Sequence, residues 1–401
     1  MRILVTGGSG FIGSYVAERA SAAGHSVRVL DNLDPQVHPN GVGRRISADV
    51  EFIEGDVRDG ALCARALAEV DCVVHCAGAV GVGQSMYRVE HYIDVNVRGT
   101  AALLDGIIAN RANGADGANR APSSRRAHSP SLPRLVVLTS MTGYAEGCYR
   151  RPSDGEQVRV EVRTEEDIRT LGWEPVCPHT HEPLVPVPTP ETAALLSRNV
   201  YALSKRYQEE LALTLGDVYG FPVVCLRLFN VYGPGQSLSN PYTGVIAIFL
   251  SRLLAGQSPM VYEDGRQSRD FISVHDVADT VVGLLESSAA DGEVVNIGSG
   301  IPRAIGDIAV TLARLIGREH VVPEITERFR RGDVRHCLAD VTRAREWLAF
   351  EPKVTWEEGL AEVVAWATSA RADDHSAQAE RELRDHQLLS DDRIRPEARR
   401  E

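Results

Sequence analysis

A chain of 401 residues with 43% hydrophobic and 24% charged residues has the composition of a globular protein with a sizeable core and one or two domains. Its formal net charge of −12 argues against nucleic acid and anionic membrane surfaces as partners, and no apolar run approaches the ~20 residues needed to cross a bilayer. The seven cysteines (63, 72, 76, 148, 177, 225 and 337) are odd in number and scattered, and Met1-Arg2 leads directly into Ile3-Leu4-Val5 with no leader pattern. Free thiols in a cytoplasmic protein are therefore expected, not a disulfide framework.

Taken in chain order, residues 2–6 form a short apolar, β-branched run, the pattern of a fully buried strand. It runs into Gly7-Gly8-Ser9-Gly10-Phe11-Ile12-Gly13, and a helix follows that stops at Gly24. Strand, glycine turn and helix N-terminus make a pyrophosphate cradle: glycine lets the backbone approach the ligand, and the helix end offers free N–H groups. A second strand, residues 26–30, ends at Asp31. An acid about 20 positions past the glycines binds the adenosine ribose and repels the 2′-phosphate of NADP, which favours NAD; alternatively Asp31 simply opens the turn at Asn32. Residues 51–54 form a third strand, and Asp56 at its tip suits an adenine or caps the next helix. The fourth strand, 71–75, is followed by Cys76-Ala77-Gly78-Ala79, small enough for a cofactor to lie against. A long helix begins at Tyr92-Ile-Asp-Val-Asn96.

Residues 111–133 are polar and low in complexity, the pattern of a mobile surface loop. A fifth strand, 135–138, delivers Thr139 and Ser140. After a long Pro-rich insertion, 151–198, comes the helix that carries Tyr201-Ala-Leu-Ser-Lys205. Residues four apart share a helix face, so the Tyr201 phenol and the Lys205 ammonium can reach one point, and a nearby cation lowers a tyrosine pKa from ~10. Such a tyrosine can take a proton from a hydroxyl and return it. Further strands at 222–226 and 293–297 complete an alternation that predicts an α/β fold: a Rossmann-type doubly wound parallel sheet with a smaller C-terminal lobe over the strand ends. The expected division is 1–228 for the dinucleotide domain and 229–369 for the lobe, with 273–300 returning to the first domain. Residues 370–401 are expected to be a charged, disordered tail.

The glycines at 7, 10 and 13, the acid at 31, Gly55-Asp56, Ser140, Tyr201 with Lys205, Leu228-Phe-Asn230-Val-Tyr-Gly-Pro-Gly235 and Asp264-Gly-Arg-Gln-Ser-Arg269-Asp-Phe-Ile occur in order. Over residues 1 to about 368 the chain resembles the extended short-chain dehydrogenase/reductase family, within it the NAD-dependent nucleotide-sugar epimerases and dehydratases. The resemblance implies that Tyr201 is the acid/base, that Lys205 holds the nicotinamide ribose, and that Ser140 hydrogen-bonds the hydroxyl being oxidised. It implies an NAD site of Gly7, Gly10, Phe11, Ile12, Gly13, Asp31, Asn32, Asp56, Val57, Ala77, Gly78 and Asn96, with Tyr201 and Lys205. It implies a nucleoside diphosphate sugar held by Ser140, Thr142, Asn230, Arg269 and Arg330, with Arg331 a rival for the last, and arginines suit a diphosphate. A homodimer is likewise implied.

In the related dehydratases an acid pair follows the serine or threonine; here Met141 and Thr142 stand there, and neither is an acid/base near neutral pH. That leaves C4 epimerisation through a 4-keto intermediate first and NAD(P)H-dependent 4-keto reduction second, with a non-catalytic NAD-sensing module a third class. The insertion resembles that of dTDP-L-rhamnose 4-epimerases, with Thr180 where a second cysteine of a Cys-Pro-x-Cys pattern would be. Cys177, His179 and His181 remain, with Cys148 upstream, and no bound metal is expected from them.

Overall fold

The computed structural model describes residues 1–38, 47–116, 132–370, 373–390, 392–394 and 396. Seven strands form one sheet: β1 (Arg2–Thr6), β2 (Ser26–Asp31), β3 (Glu51–Glu54), β4 (Cys72–His75), β5 (Arg134–Ser140), β6 (Val223–Leu228) and β7 (Glu293–Ile297). Their order is 7-6-5-4-1-2-3 and every neighbouring pair is parallel. Parallel strands need crossover helices on both faces, which is why the central strands read as mostly apolar runs. Ile3, Val5, Val74 and Val136 pack into one apolar layer and Leu4, Val73 and Val137 into the opposite one, all fully buried. The direction of winding reverses between β1 and β4, and a ligand crevice opens at the carboxyl ends of strands at such a point.

The helix expected from Tyr92 starts with a π-helical turn, Ile93–Arg98, and continues as α-helix over Gly99–Asp116. Residues 111–116 are thus helical, not loop, and 117–131 lie outside the described residues. A second core is built on strand Ser268–Ser273, which pairs with Asn230–Tyr232, Pro302–Ala304 and His336–Cys337. Helices Val245–Leu254, Ile305–Leu315 and Trp356–Ser369 close over it, with Tyr232, Phe271 and Trp356 in edge contact. Between the two cores, helix Val274–Leu284 packs on Phe11–Ala22 of the large sheet.

The insertion folds as a three-stranded antiparallel sheet (Gln157–Val158, Cys148–Arg150, Val185–Val187) and a short helix, Glu165–Leu171, started by a Thr164/Asp167 capping box. Charges fasten it to the second core. Arg163 donates to Glu146 at 3.0 Å and to Glu263 at 2.8 Å, and Arg335 donates to Glu263 at 2.8 Å and pairs with Glu174. Glu146, Arg163, Glu263 and Arg335 are all buried. Among the described residues no three His, Cys, Asp or Glu side chains gather as a metal site. The Cys177 thiol, screened by its own loop, is met instead by Arg151 Nη1 at 3.6 Å. Hydrogen bonds from Thr180 and His179 help bring it down to about 7.

The C-terminal expectation is overturned for residues 373–390 and 392–394; residues 371–372, 391, 395 and 397–401 lie outside the described residues. Ser376–Asp385 is a helix with Ala379 and Leu383 buried, and Leu389 and Ile394 beyond it are buried too. The mixed charges that suggested disorder are used in pairs: Glu380 takes Arg328 at 2.7 Å and Arg384 on its own helix. No helix among the described residues is long and apolar enough to cross a membrane.

Candidate active site

A cavity of about 610 Å³ lies at the carboxyl ends of the strands, between the large sheet and the second core. Its floor is the turn after β1. Gly7 has φ +67°, and a Cβ there would stand 2.7 Å from the Ala77 backbone; one on Gly13 would stand 2.2 Å from the Gly7 carbonyl. Side chains at either place would break the turn. Gly10 caps the following helix without a side-chain bond, and no acid lies in its first turn. The helix start is free to meet an anion. Phe11 and Ile12 line the same wall.

At the end of β2, Asp31 accepts from Ser9 N and Leu33 N, both at 2.9 Å, and faces His38 at 3.7 Å. Asn32 donates to Asp56 at 2.9 Å. Arg58 holds the Asp56 carboxyl down at about 2 and reaches Asp94 as well. Asp31, Asn32, Asp56, Val57, Ala77 and Gly78 all border the cavity. Asn96 does not: it is fully buried behind the wall, where it binds Ala79 N at 2.7 Å and Ala79 O at 3.1 Å and donates to Ser204 at 2.8 Å. Asn96 shapes the loop that a cofactor would touch. The cradle, the acid at the β2 tip and the small residues after β4 together offer what a dinucleotide needs: room for its phosphates, an acceptor for a ribose and a smooth wall.

Ser140 ends β5 and caps the turn Met141–Tyr144, accepting from Thr142 N at 3.3 Å and Thr142 Oγ1 at 3.0 Å. Helix Val200–Tyr219 is capped by Asn199, so Tyr201 and Lys205 come from its first turns. Ser140, Tyr201 and Lys205 converge on the cavity. The expected lowering of the tyrosine is not what the geometry gives. Burial pushes Tyr201 up to about 12, against the opposing pull of the Ser140 hydroxyl. Lys205 is itself pushed down to about 8 by burial, and its Nζ donates to Leu138 O at 3.1 Å. Spacing fixed the shared helix face; it carried no information about the cost of burying both groups.

That cost yields a prediction. Lys205 binds its proton less tightly folded than unfolded, so the penalty is full below about pH 8 and fades as pH rises through the unfolded value of 10.5. Lys205→Met is expected to gain roughly 1–3 kcal/mol at neutral pH, after allowance for the lost bond to Leu138, while losing activity. Urea midpoints at pH 7 and pH 10 check this: the gain should shrink at the higher pH.

The other half of the cavity is cationic. Arg269 and Arg330 each donate at 3.0 Å to one oxygen of Asp333. Burial pushes Asp333 up, yet the two guanidinium groups hold it below the ordinary carboxylate value. Asn230 Oδ1 is buried there without a partner. Thr142 also lines this space. Sequence reading missed Asp333, the cavity-lining Arg252, which donates to Ser258 O at 2.7 Å, and Ser85, whose Oγ accepts from Tyr201 N at 3.0 Å. Asp333 had a signal, the Arg-Arg-Gly-Asp run at 330–333; Ser85 had none.

The family model described as "NAD dependent epimerase/dehydratase family" matches residues 3–147 and 177–298, leaving out the first part of the insertion. Among curated relatives, a dTDP-L-rhamnose 4-epimerase from Burkholderia thailandensis is 32% identical over 373 residues, 91% of this chain and 94% of the relative. A UDP-glucose 4-epimerase from Mycolicibacterium smegmatis is 30% identical, covering 91% of this chain and 97% of the relative. The UDP-glucose 4-epimerase of Thermotoga maritima, solved with UDP-glucose, superposes with TM-score 0.72 at 27% identity, covering 92% of this chain and 99% of that one. That of Thermus thermophilus, solved with NAD, gives 0.66 at 27%, with 92% and 100% covered. With a matching fold, a dinucleotide cradle and a Ser–Tyr–Lys constellation at its strand ends, the chain belongs to the NAD dependent epimerase/dehydratase family.

Proposed function

We propose that this protein is an NAD-dependent C4 epimerase of a nucleoside diphosphate sugar. The observation that carries the reading is the convergence of Ser140, Tyr201 and Lys205 at one end of a cavity whose other end holds Arg269 and Arg330. No acid follows Ser140, since Met141 and Thr142 occupy the turn. Relatives named 4-epimerases support it.

NAD, when bound, would supply the hydride acceptor and donor. The residues named in the dinucleotide half would hold it: the glycine turn at the phosphates, Asp31 at the adenosine ribose and Lys205 at the other ribose. The chain's own chemistry is proton handling and grip. Tyr201 takes the proton of the C4 hydroxyl and later returns it, and Ser140 hydrogen-bonds the same oxygen in both states. Arg269 and Arg330, released from sharing Asp333, clamp the diphosphate with Asn230 beside them. An anchored diphosphate lets the 4-keto sugar turn its other face to the cofactor without leaving.

The test is the path of hydrogen. Turnover in deuterated water is expected to leave every ring carbon free of deuterium, and a C4-deuterated substrate is expected to keep its label at C4. Solvent deuterium at C3 or C5 would overturn the epimerase reading, and loss of the C4 label to the nicotinamide pool would turn it into a 4-keto reductase.

A homodimer belongs to this proposal. Leu203, Tyr207 and Val218 are exposed along helix Val200–Tyr219, an apolar stripe with no cover. Light scattering at micromolar concentration should give twice the chain mass; a monomer counts against it. The cytoplasm is the proposed compartment, supported by seven free thiols, five of them buried.

A further inference from the structure

The outer wall of the cavity is made by the segment that sequence reading assigned to disorder. Helix Ser376–Asp385 turns Ser376, Ala379, Glu380 and Leu383 to the cavity, the i, i+3, i+4, i+7 face. Leu383 lies directly on Gly83, where a Cβ would stand 2.8 Å from Leu383 Cδ2. Gly83 belongs to the turn Val82–Ser85, and Ser85 holds the backbone of Tyr201. This end of the wall therefore sits on the support of the proposed acid/base.

The same helix is clasped at the cavity mouth. Glu382 accepts from Tyr87 at 2.6 Å and from Tyr242, whose hydroxyl oxygens lie 2.9 Å apart, and His386 stacks on Tyr87 with ring centres 4.3 Å apart. Beyond the helix the chain reaches the other end. Arg331 N donates to Leu388 O at 2.9 Å and Phe329 N to Ser390 Oγ at 3.0 Å, on both sides of Arg330. Ile394 is buried against Ile168 and Phe329, which fixes the end of the wall to the insertion.

We propose that residues 373–390 and 392–394 complete the substrate site, with Leu383 a specificity-determining residue for the sugar and the Glu382 clasp holding the bound nucleotide sugar in place. The proposal rests on the nucleotide-sugar reading. Its chemistry follows from the side chains. An apolar leucine at this end of the cavity packs on a methyl substituent and leaves a hydroxyl there without a partner, so a sugar deoxygenated on that edge is favoured.

Full-length Leu383→Ala and Glu382→Gln are compared with the natural chain on paired nucleoside diphosphate hexoses that differ by one hydroxyl at C6. Leu383→Ala is expected to reduce the ratio of kcat/KM for the 6-deoxy sugar over its 6-hydroxy partner by about 10-fold or more. The Kd for the nucleoside diphosphate alone should not change. Glu382→Gln is expected to speed release of the nucleotide sugar about 10-fold in stopped flow, with NAD content unchanged. Should Leu383→Ala fail to fold, Leu383→Met, which keeps the volume, must still shift the ratio. An unchanged ratio, or a loss equal for both sugars, overturns the assignment of Leu383; an unchanged release rate overturns the clasp. If the natural chain turns over no nucleotide sugar at all, the function itself is wrong and the wall's ligand falls with it, a result distinct from normal turnover with indifferent variants.

Discussion

Tyr201→Phe is expected to lose about 10²–10⁴-fold in turnover while still binding NAD and nucleoside diphosphate sugar, because a positioned acid/base contributes about that much. Phenylalanine keeps the buried ring and its edge contact with Tyr92 at 6.4 Å, so the helix start and its Asn199 cap stay in place. What disappears is the one phenol that the Ser140 hydroxyl addresses. The loss should fall on kcat and leave KM almost alone. Burial raises this tyrosine against the pull of Ser140, so an alkaline limb in the pH–rate profile is expected, and the Phe variant should lose it. Near-natural turnover in the Phe variant would remove Tyr201 from the chemistry; isothermal titration with the nucleoside diphosphate separates that outcome from a binding defect.

Arg163→Ala is expected to cost about 3–5 kcal/mol of stability, the penalty for leaving a buried charge without its partner. Arg163 stands between Glu146 and Glu263, also donates to Trp173 O at 3.0 Å, and all three charged groups are buried. Its removal strips Glu146 of its side-chain cation and removes one of the buried ties between the insertion and the second core, leaving that of Arg335 with Glu174. Arg198→Ala is the contrast: its pair with Glu161 at 2.9 Å is exposed on both sides, and such pairs contribute at most about 1 kcal/mol. Urea unfolding of both variants decides the matter, and equal midpoints would show that the buried network does not fasten the insertion.

The strands of the large sheet were legible in the sequence because a strand buried on both faces favours apolar residues, so Ile3-Leu4-Val5 and residues 136–138 stand out locally. The glycine turn was legible for a related reason: Gly7 and Gly13 have no room for a side chain. Lys205 and Tyr201 were found by spacing, but the direction in which Tyr201 shifts was not, because burial is set by strands and turns far away in sequence. Asn96 was read as a cofactor contact; it lies one layer back, fully buried and bonded to Ala79 and Ser204, partners that come from elsewhere in the chain. The C-terminal wall was illegible for a plainer cause. Glu380 and Glu382 look like solvent charges until Arg328, Tyr87 and Tyr242 are brought to them from elsewhere in the chain.

The place of β7 at the edge of the sheet bears on the order in which the protein can be made. β6 ends at Leu228, but the strand that covers its free side ends only at Ile297. On a ribosome adding about 5–20 residues per second, the nascent sheet carries an open, largely apolar edge for several seconds. Open edges of that kind recruit other chains. Synthesis halted between these two strands should therefore leave a sticky, cofactor-ready half-protein, and aggregation on overexpression would begin at Val223–Leu228.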